Sequence, residues 1–366
     1  MLNLVDLECG SLLAKIPTTG IGSPADPNGL STPTVVDVDG DFITDYAYAG
    51  DLYGNIWRFD FTSSNPLQWK LSFTGSPLFT AQSPEGDRQQ ITSKPVLSVR
   101  PGNDGYMLYF GTGKYLESAD NVTINQPTPT FYAIWDKWSK DTTLSYSSFT
   151  RGELLQQKII EERTTNGTEA RITSDNAVDW LVHQGWYIDL VNTATNKNLG
   201  EKQVTSPVLK NGRIFFTTLI ANTAACESGG TGWLMVLHAT DGSRLANSPF
   251  DVNGDGTFDQ SDNVPPPGSG TVNIAVSGAR SNAGIISGPA LIDGVGGASD
   301  FVAVSNSSGL VGLGDLFDGG GITPGGGGTP PPTGGPGTGP GDNDNGNLSE
   351  IDRGIPFGRI LWQQIK

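Results

Sequence analysis

The stretch Asp251-Val-Asn-Gly-Asp-Gly-Thr-Phe-Asp-Gln-Ser-Asp262 sets oxygen-bearing side chains at positions 1, 3, 5, 9 and 12 of a loop, with a glycine at position 6. This is the spacing with which a single loop wraps a calcium ion. Such a cation takes about six to eight oxygens at roughly 2.3–2.6 Å. Asp251, Asn253 and Asp255 would supply side-chain oxygens, Thr257 its carbonyl, and Asp259 an oxygen directly or through water. Asp262 would close the shell, and Gly256 would give the sharp turn that bulkier residues resist. An aspartate at the closing position is one methylene shorter than glutamate, which points to the weaker, extracellular range of affinities.

A second cluster, Asp37-Val-Asp39-Gly-Asp41-Phe-Ile-Thr-Asp45, matches positions 1, 3, 5 and 9 of the same pattern. Phe42 stands where the glycine should be, and Tyr48 falls at position 12. Asp37, Asp39, Asp41 and Asp45 are therefore a second candidate cation site, with a plain solvated hairpin as the competing reading. Catalytic signals are poor. The two histidines, His183 and His238, lie in no metal-protease pattern, and there is no nucleophile elbow, P-loop or dinucleotide fingerprint. Gly111-Thr-Gly-Lys114 has the wrong spacing for a phosphate loop and reads as a turn. Arg151-Gly-Glu153 is one residue away from the adhesive tripeptide Arg-Gly-Asp. The sequence offers no catalytic residue and reads as a non-enzyme with calcium as its cofactor.

The elements that must hold these loops are strands. The chain has 366 residues, 50 of them glycine and 24 proline, and a net charge of -16. That balance leaves no basic face to neutralise nucleic-acid phosphates. No apolar run is long enough to span a membrane. The N-terminus shows no signal-peptide pattern. It opens instead on Leu2–Ile16, which reads as two strands joined by a turn, and we expect a C-terminal piece of a longer protein. Cys9 and Cys226 allow one disulfide, but their positions in the sequence do not establish it.

A degenerate repeat runs through the chain. Its copies begin at Thr32-Pro-Thr-Val-Val36, Ser93-Lys-Pro-Val-Leu97, Ser206-Pro-Val-Leu209 and Ser287-Gly-Pro-Ala-Leu291. Each has a Pro-led strand, then a wholly apolar strand, then a third strand ending in a turn. Proline is tolerated at a strand's first residue, and wholly apolar strands suit burial on both faces. Such repetition predicts an all-β protein, a β-propeller, over residues 1–317, with a β-sandwich as the bland rival. The tryptophans at 57, 135, 186, 233 and 362 recur near strand ends, where they would pack blade on blade. Two insertions interrupt the rhythm. The first spans Thr142–Ala177, with a short helix expected at Gly152–Glu162; the second carries the Asp251 loop between the third and fourth units. Residues 318–347 form a Gly/Pro/Thr tract that lacks the apolar surface to fold and reads as a flexible linker. Residues 348–366, with Ile355–Trp362, read as a closing strand.

Taken together, several segments resemble the C-terminal propeller of the PilY-type pilus tip adhesins. They are Tyr48–Asp60, Phe110–Leu116, Gly185–Leu190, Pro207–Leu209 with Phe215–Thr218, Gly229–Met235, and the terminal Gly358–Trp362. The resemblance covers most of residues 1–317 and the last dozen. It implies a modified, quinoprotein-like propeller at the pilus tip or outer-membrane surface of a Gram-negative bacterium. It implies work with pilus subunits or minor pilins, a host surface receptor, surface adhesion and twitching motility. It also implies a calcium loop that governs pilus extension against retraction, carried here by Asp251, Asn253, Asp255, Thr257 and Asp259. The long Gly/Pro tract departs from the family pattern. The alternatives are a quinone-dependent dehydrogenase, which shares the blade style, and an adhesion module merely stiffened by calcium.

Overall fold

In a computed structural model of the chain, the described residues are 1–20, 22–123, 126–141, 143–222, 229–255, 259–268, 270–281, 284–292, 301–305 and 311–315. The Gly/Pro tract at 318–347 and the strand expected at 348–366 lie outside them, as does Cys226.

The fold is all-β. The chain opens on the hairpin β1 (Leu2–Val5) and β2 (Leu12–Ile16). Unit 1 follows as β3 (Thr34–Val36), β4 (Tyr46–Gly50) and β5 (Asn55–Asp60), edged by the short β6 (Lys70–Leu71) and β7 (Phe79–Thr80). Unit 2 begins β8 (Val96–Val99), β9 (Tyr106–Gly111), β10 (Thr130–Asp136). A long hairpin then intervenes, β11 (Leu155–Thr165) and β12 (Thr168–Thr173), before unit 2 is completed by β13 (Gly185–Asn192). Unit 3 comprises β14 (Val208–Lys210), β15 (Arg213–Thr217), the short β16 (Ile220–Ala221), β17 (Gly230–His238) and β18 (Gly278–Ser281). Unit 4 contributes β19 (Ala290–Ile292), β20 (Phe301–Ser305) and β21 (Val311–Asp315). The four Pro-led repeats are thus four antiparallel meanders.

The period of two along each strand explains how the units stack. In β4, Tyr46 and Tyr48 face unit 2 and join a cluster with Leu108, Phe110 and Tyr132. Ala47 and Ala49 of the same strand face the opening hairpin, packing with Leu4, Ile16, Trp57 and Phe59. In β9, Leu108 and Phe110 turn toward unit 1, whereas Met107 and Tyr109 turn toward Ile214, Phe216 and Met235 of unit 3. Phe215, the intervening residue of β15, packs toward Val302 and Val304 of unit 4. Each wholly apolar strand therefore feeds two cores at once, at about 1.5–3 kcal/mol per fully buried large side chain. The expected role of the tryptophans holds for Trp57, Trp186 and Trp233, which are buried in these clusters. Trp135 is half-buried beside Trp180, and Trp362 lies outside the described residues.

Two expectations need correction. Gly152–Glu162 is not a helix. After a single 3-10 turn at Arg151–Glu153 the chain extends as β11. Its turn, Asn166-Gly167, has positive φ at both residues, the geometry that matches the twist of a two-residue hairpin. β11 runs parallel to β13, and β12 pairs with β18. The inserted hairpin therefore joins the outer strands of units 2 and 3 into one continuous sheet. The Asp251 loop also sits elsewhere than expected. It lies within unit 3, on the connection from β17 to β18, because β18 is that unit's last strand.

Candidate cation sites

The Asp251 loop is rooted in the core at both ends. Phe250 and Val252 at its start and Val264 after its end are buried in the cluster shared by units 3 and 4. Its closing residue, Asp262, is 1% exposed. Asp262 Oδ1 accepts the amides of Val252 (2.8 Å) and Asn253 (3.2 Å), and Oδ2 accepts that of Asp259 (3.1 Å). A carboxylate can be buried here because three amides solvate it. It ties the two halves of the loop together. A 3-10 turn over Gln260–Asp262 is capped reciprocally by Asp259 and Asp262.

The first half of the loop curls on itself. Asp251 Oδ1 accepts the Gly254 amide (2.6 Å), and Asn253 Oδ1 accepts the Asp255 amide (2.8 Å). The Asn253 amide group donates to Asp255 Oδ2 (2.9 Å) and to Ser261 Oγ (2.7 Å). Positions 1, 3 and 5 are thus gathered on one turn, linked to the far arm by Ser261, which the spacing pattern does not include. Gly256 and Thr257, expected to give the turn and a carbonyl, lie outside the described residues.

The second cluster is the tighter one. Ligand oxygens of Asp37, Asp39 and Asp45 lie within 4.8 Å of one another, the one such group of acidic, histidine or cysteine side chains found among the described residues. Asp41, the fourth expected member, is outside that group, and its Oδ1 accepts the Ile43 amide (2.8 Å). Asp37 accepts the amides of Gly40 and Phe42, each at 2.7 Å, and Asp45 Oδ2 accepts that of Val38 (2.7 Å). Burial, and then the nearby charges of Asp39 and Asp37, push the Asp45 carboxyl above its ordinary value, against the pull of the Val38 amide. Phe42 shows how the loop turns without its glycine. It is 82% exposed and held at φ 69°, in the left-handed region that position 6 requires. Phe42→Gly should therefore stabilise the protein by about 0.5–1 kcal/mol, since an exposed ring is lost and the backbone penalty is relieved. A urea midpoint that moves upward in the variant would confirm this; one that moves downward would show the ring to be holding something.

The remaining candidates are structural. Arg151 cannot serve as an adhesive arginine as it stands, since its guanidinium is bound to both oxygens of Asp189 (2.8 and 2.9 Å) and stacked over Tyr187. Gly111–Lys114 is not the turn expected: Gly111 is the last residue of β9, paired with Phe131, and Gly113 bridges Ile91 in parallel. Cys9 is an exposed free thiol 3.2 Å from Ser11 Oγ.

Residues 1–171 match the family model described as the PilY1 beta-propeller domain. The chain is 34% identical over 306 residues to the type IV pilus biogenesis factor PilY1 of Pseudomonas aeruginosa, covering 76% of this chain and 26% of that protein. It is 34% identical over 255 residues to a PilY1 homolog of Xylella fastidiosa, covering 66% and 17%. The crystal structure of the P. aeruginosa PilY1 C-terminal domain superposes with a TM-score of 0.71 at 29% identity, over 85% of this chain and 65% of that one. The chain thus spans about a quarter or less of the curated relatives' length. Stacked meanders that share apolar strands, and this superposition, define a modified β-propeller. Within that class the chain belongs to the PilY1 β-propeller family.

Proposed function

We propose that this chain is the calcium-binding propeller of a type IV pilus biogenesis protein, setting pilus extension against retraction and supporting surface attachment. The observation that carries the reading is the Asp251 loop: its closing carboxylate Asp262 binds both arms through three amides, and the oxygens at positions 1, 3 and 5 are gathered on one turn. An ion would neutralise the carboxylates crowded on a loop that Asp262 already closes, and the tightening that follows is the switch. Asp262 serves as the loop's organiser, so Asp251, Asn253, Asp255, Thr257 and Asp259 are the residues whose affinity sets the response. The names of the relatives support a pilus setting, with pilus subunits or minor pilins as partners and a place at the pilus tip or outer cell surface. Among the described residues no helix is long and apolar enough to cross a membrane. The role proposed is non-enzymatic.

Calorimetric titration should show calcium binding that disappears from the first site in Asp251→Ala and in Asp255→Ala. Unchanged binding in both variants would sink the assignment. A second event is expected at the Asp37 loop, supported by the convergence of Asp37, Asp39 and Asp45, and Asp45→Ala should remove it alone. In the full-length protein, Asp255→Ala should alter pilus retraction. Retraction that stays normal, while calcium binding is lost, would leave a loop that calcium merely stiffens.

A further inference from the structure

Where unit 1 packs against unit 2 a cavity of about 360 Å³ remains, and its wall is aromatic. The Arg58 guanidinium lies between the rings of Tyr46 (4.5 Å) and Phe73 (4.2 Å), and Tyr146 stacks on Phe73 with centroids 4.1 Å apart. The charge of Arg58 is already matched by the buried Asp136, so the wall presents itself as neutral.

The rim is polar and balanced. Asp60 and Lys70 are directly paired positions of β5 and β6. Among the described residues no ion pair joins them, and Asp60 Oδ2 accepts no hydrogen bond, while Oδ1 takes the amide and hydroxyl of Thr62. The cavity is shaped by an unusual backbone. Phe73 and Thr74 both have φ 54°, and Gly75 follows at φ 89°, giving three successive residues in the left-handed region. Two of them are not glycine, and strain of this kind persists where surrounding structure enforces it, often at ligand clamps. Here it lays Phe73 over Arg58 and sets the Thr74 hydroxyl on the rim.

We propose that this cavity binds a neutral saccharide unit. Phe73 is covered by Arg58 on one face and Tyr146 on the other, so the ring left to meet a ligand is that of the half-buried Tyr146. A pyranose offers it an apolar C–H face, and hydroxyls that both donate and accept. Asp60 is placed to accept from such hydroxyls and Lys70 to donate to them. A net anion or net cation would gain from one of these residues what it lost to the other. The size lies at the lower end for small-molecule pockets, about 300–1,000 Å³. The inference is independent of calcium and would give the propeller a glycan-reading face.

The test is a titration of the full chain with methyl glycosides of glucose, galactose, mannose and N-acetylglucosamine, followed by saturation-transfer NMR and by the change in tryptophan fluorescence that is lost in Trp138→Phe, since Trp138 edges Tyr146. Saturable binding with a Kd on the order of 1 mM is expected for at least one. Asp60→Ala and Lys70→Ala should each weaken it by about tenfold or more. Both positions are partly or fully exposed, and a native thermal melt will certify the fold. The proposal fails if no glycoside saturates, if affinity is unchanged in a folded Asp60→Ala variant, or if inorganic phosphate or free glycine binds more tightly than every glycoside.

Discussion

Asp136→Ala is expected to lower the stability of the chain by about 3–5 kcal/mol, among the largest losses available to one side chain here. Asp136 ends β10 in unit 2 and is fully buried. It accepts the Tyr48 hydroxyl at 2.8 Å, the Arg58 Nη1 at 2.9 and 3.1 Å, and the Trp138 amide at 3.0 Å. Tyr48 and Arg58 belong to unit 1, so this one carboxylate fastens two blades. Burial opposes the charge of Arg58, and Asp136 more than offsets that, holding the guanidinium above its ordinary pKa. Burial, and then the charge of Asp136, hold the Tyr48 phenol protonated and thus a donor. Without the carboxylate, a buried cation and a buried hydroxyl lose their partner together. Asp136→Asn keeps an acceptor of the same shape and should lose less. Urea unfolding followed by tryptophan fluorescence will measure both. A loss below about 1 kcal/mol in Asp136→Ala would mean that water reaches the site and replaces the pair.

The blade repeat was readable because burial on both faces leaves a plain trace: a proline, then five or six apolar residues, as in Tyr46–Gly50 and Tyr106–Gly111. The inserted hairpin was not readable, and Gln157 shows why. It occupies a core-facing position of β11 between Leu155 and Ile159, fully buried, with Nε2 donating to the carbonyls of Asn176 (2.6 Å) and Asp241 (2.9 Å). Its Oε1 accepts from the Ser174 hydroxyl (2.6 Å) and the Asn176 amide (3.2 Å). A satisfied polar residue in the core erased the alternation, and Glu, Gln, Lys and Leu then read as helix formers. β18 was missed for another reason. Gly278-Ala-Arg-Ser281 carries almost no apolar signal, since strands on either side supply its burial. The acidic loops were legible because ligand spacing is local. The inter-blade ion pairs were not, because Arg58 and Asp136 are 78 residues apart and only the fold makes them neighbours. The closing role of Asp262 was expected toward a metal; the structure shows it closing the loop through three amide bonds.

Arg171→Met should cost a comparable amount, about 3–5 kcal/mol, but through a different lever. Arg171 lies on β12 and is fully buried. Its guanidinium meets both oxygens of Glu201 at 2.9 Å, takes Glu162 Oε1 at 2.6 and 3.0 Å, and stacks 4.0 Å over the Trp233 ring. Glu201 is itself buried, so the variant strands an unpaired carboxylate. The double variant Arg171→Met/Glu201→Leu removes both charges and should recover most of the loss, as apolar replacement of buried ion pairs often does. Losses that simply add would refute a paired role. On the proposed calcium role, the consequence reaches the Asp251 loop. β18 is held by β12 on one side and by β17 on the other, and the loop joins β17 to β18. Freeing β12 leaves β18 with one neighbour and loosens the anchor of the loop's second arm. Arg171→Met should then raise amide exchange at Gly278 and Ala279 and weaken calcium binding at the Asp251 loop several-fold, while leaving the Asp37 loop in unit 1 untouched. Equal weakening at both loops would point to general unfolding. Unchanged binding at the Asp251 loop would show that Phe250, Val252 and Val264 hold it without the clasp.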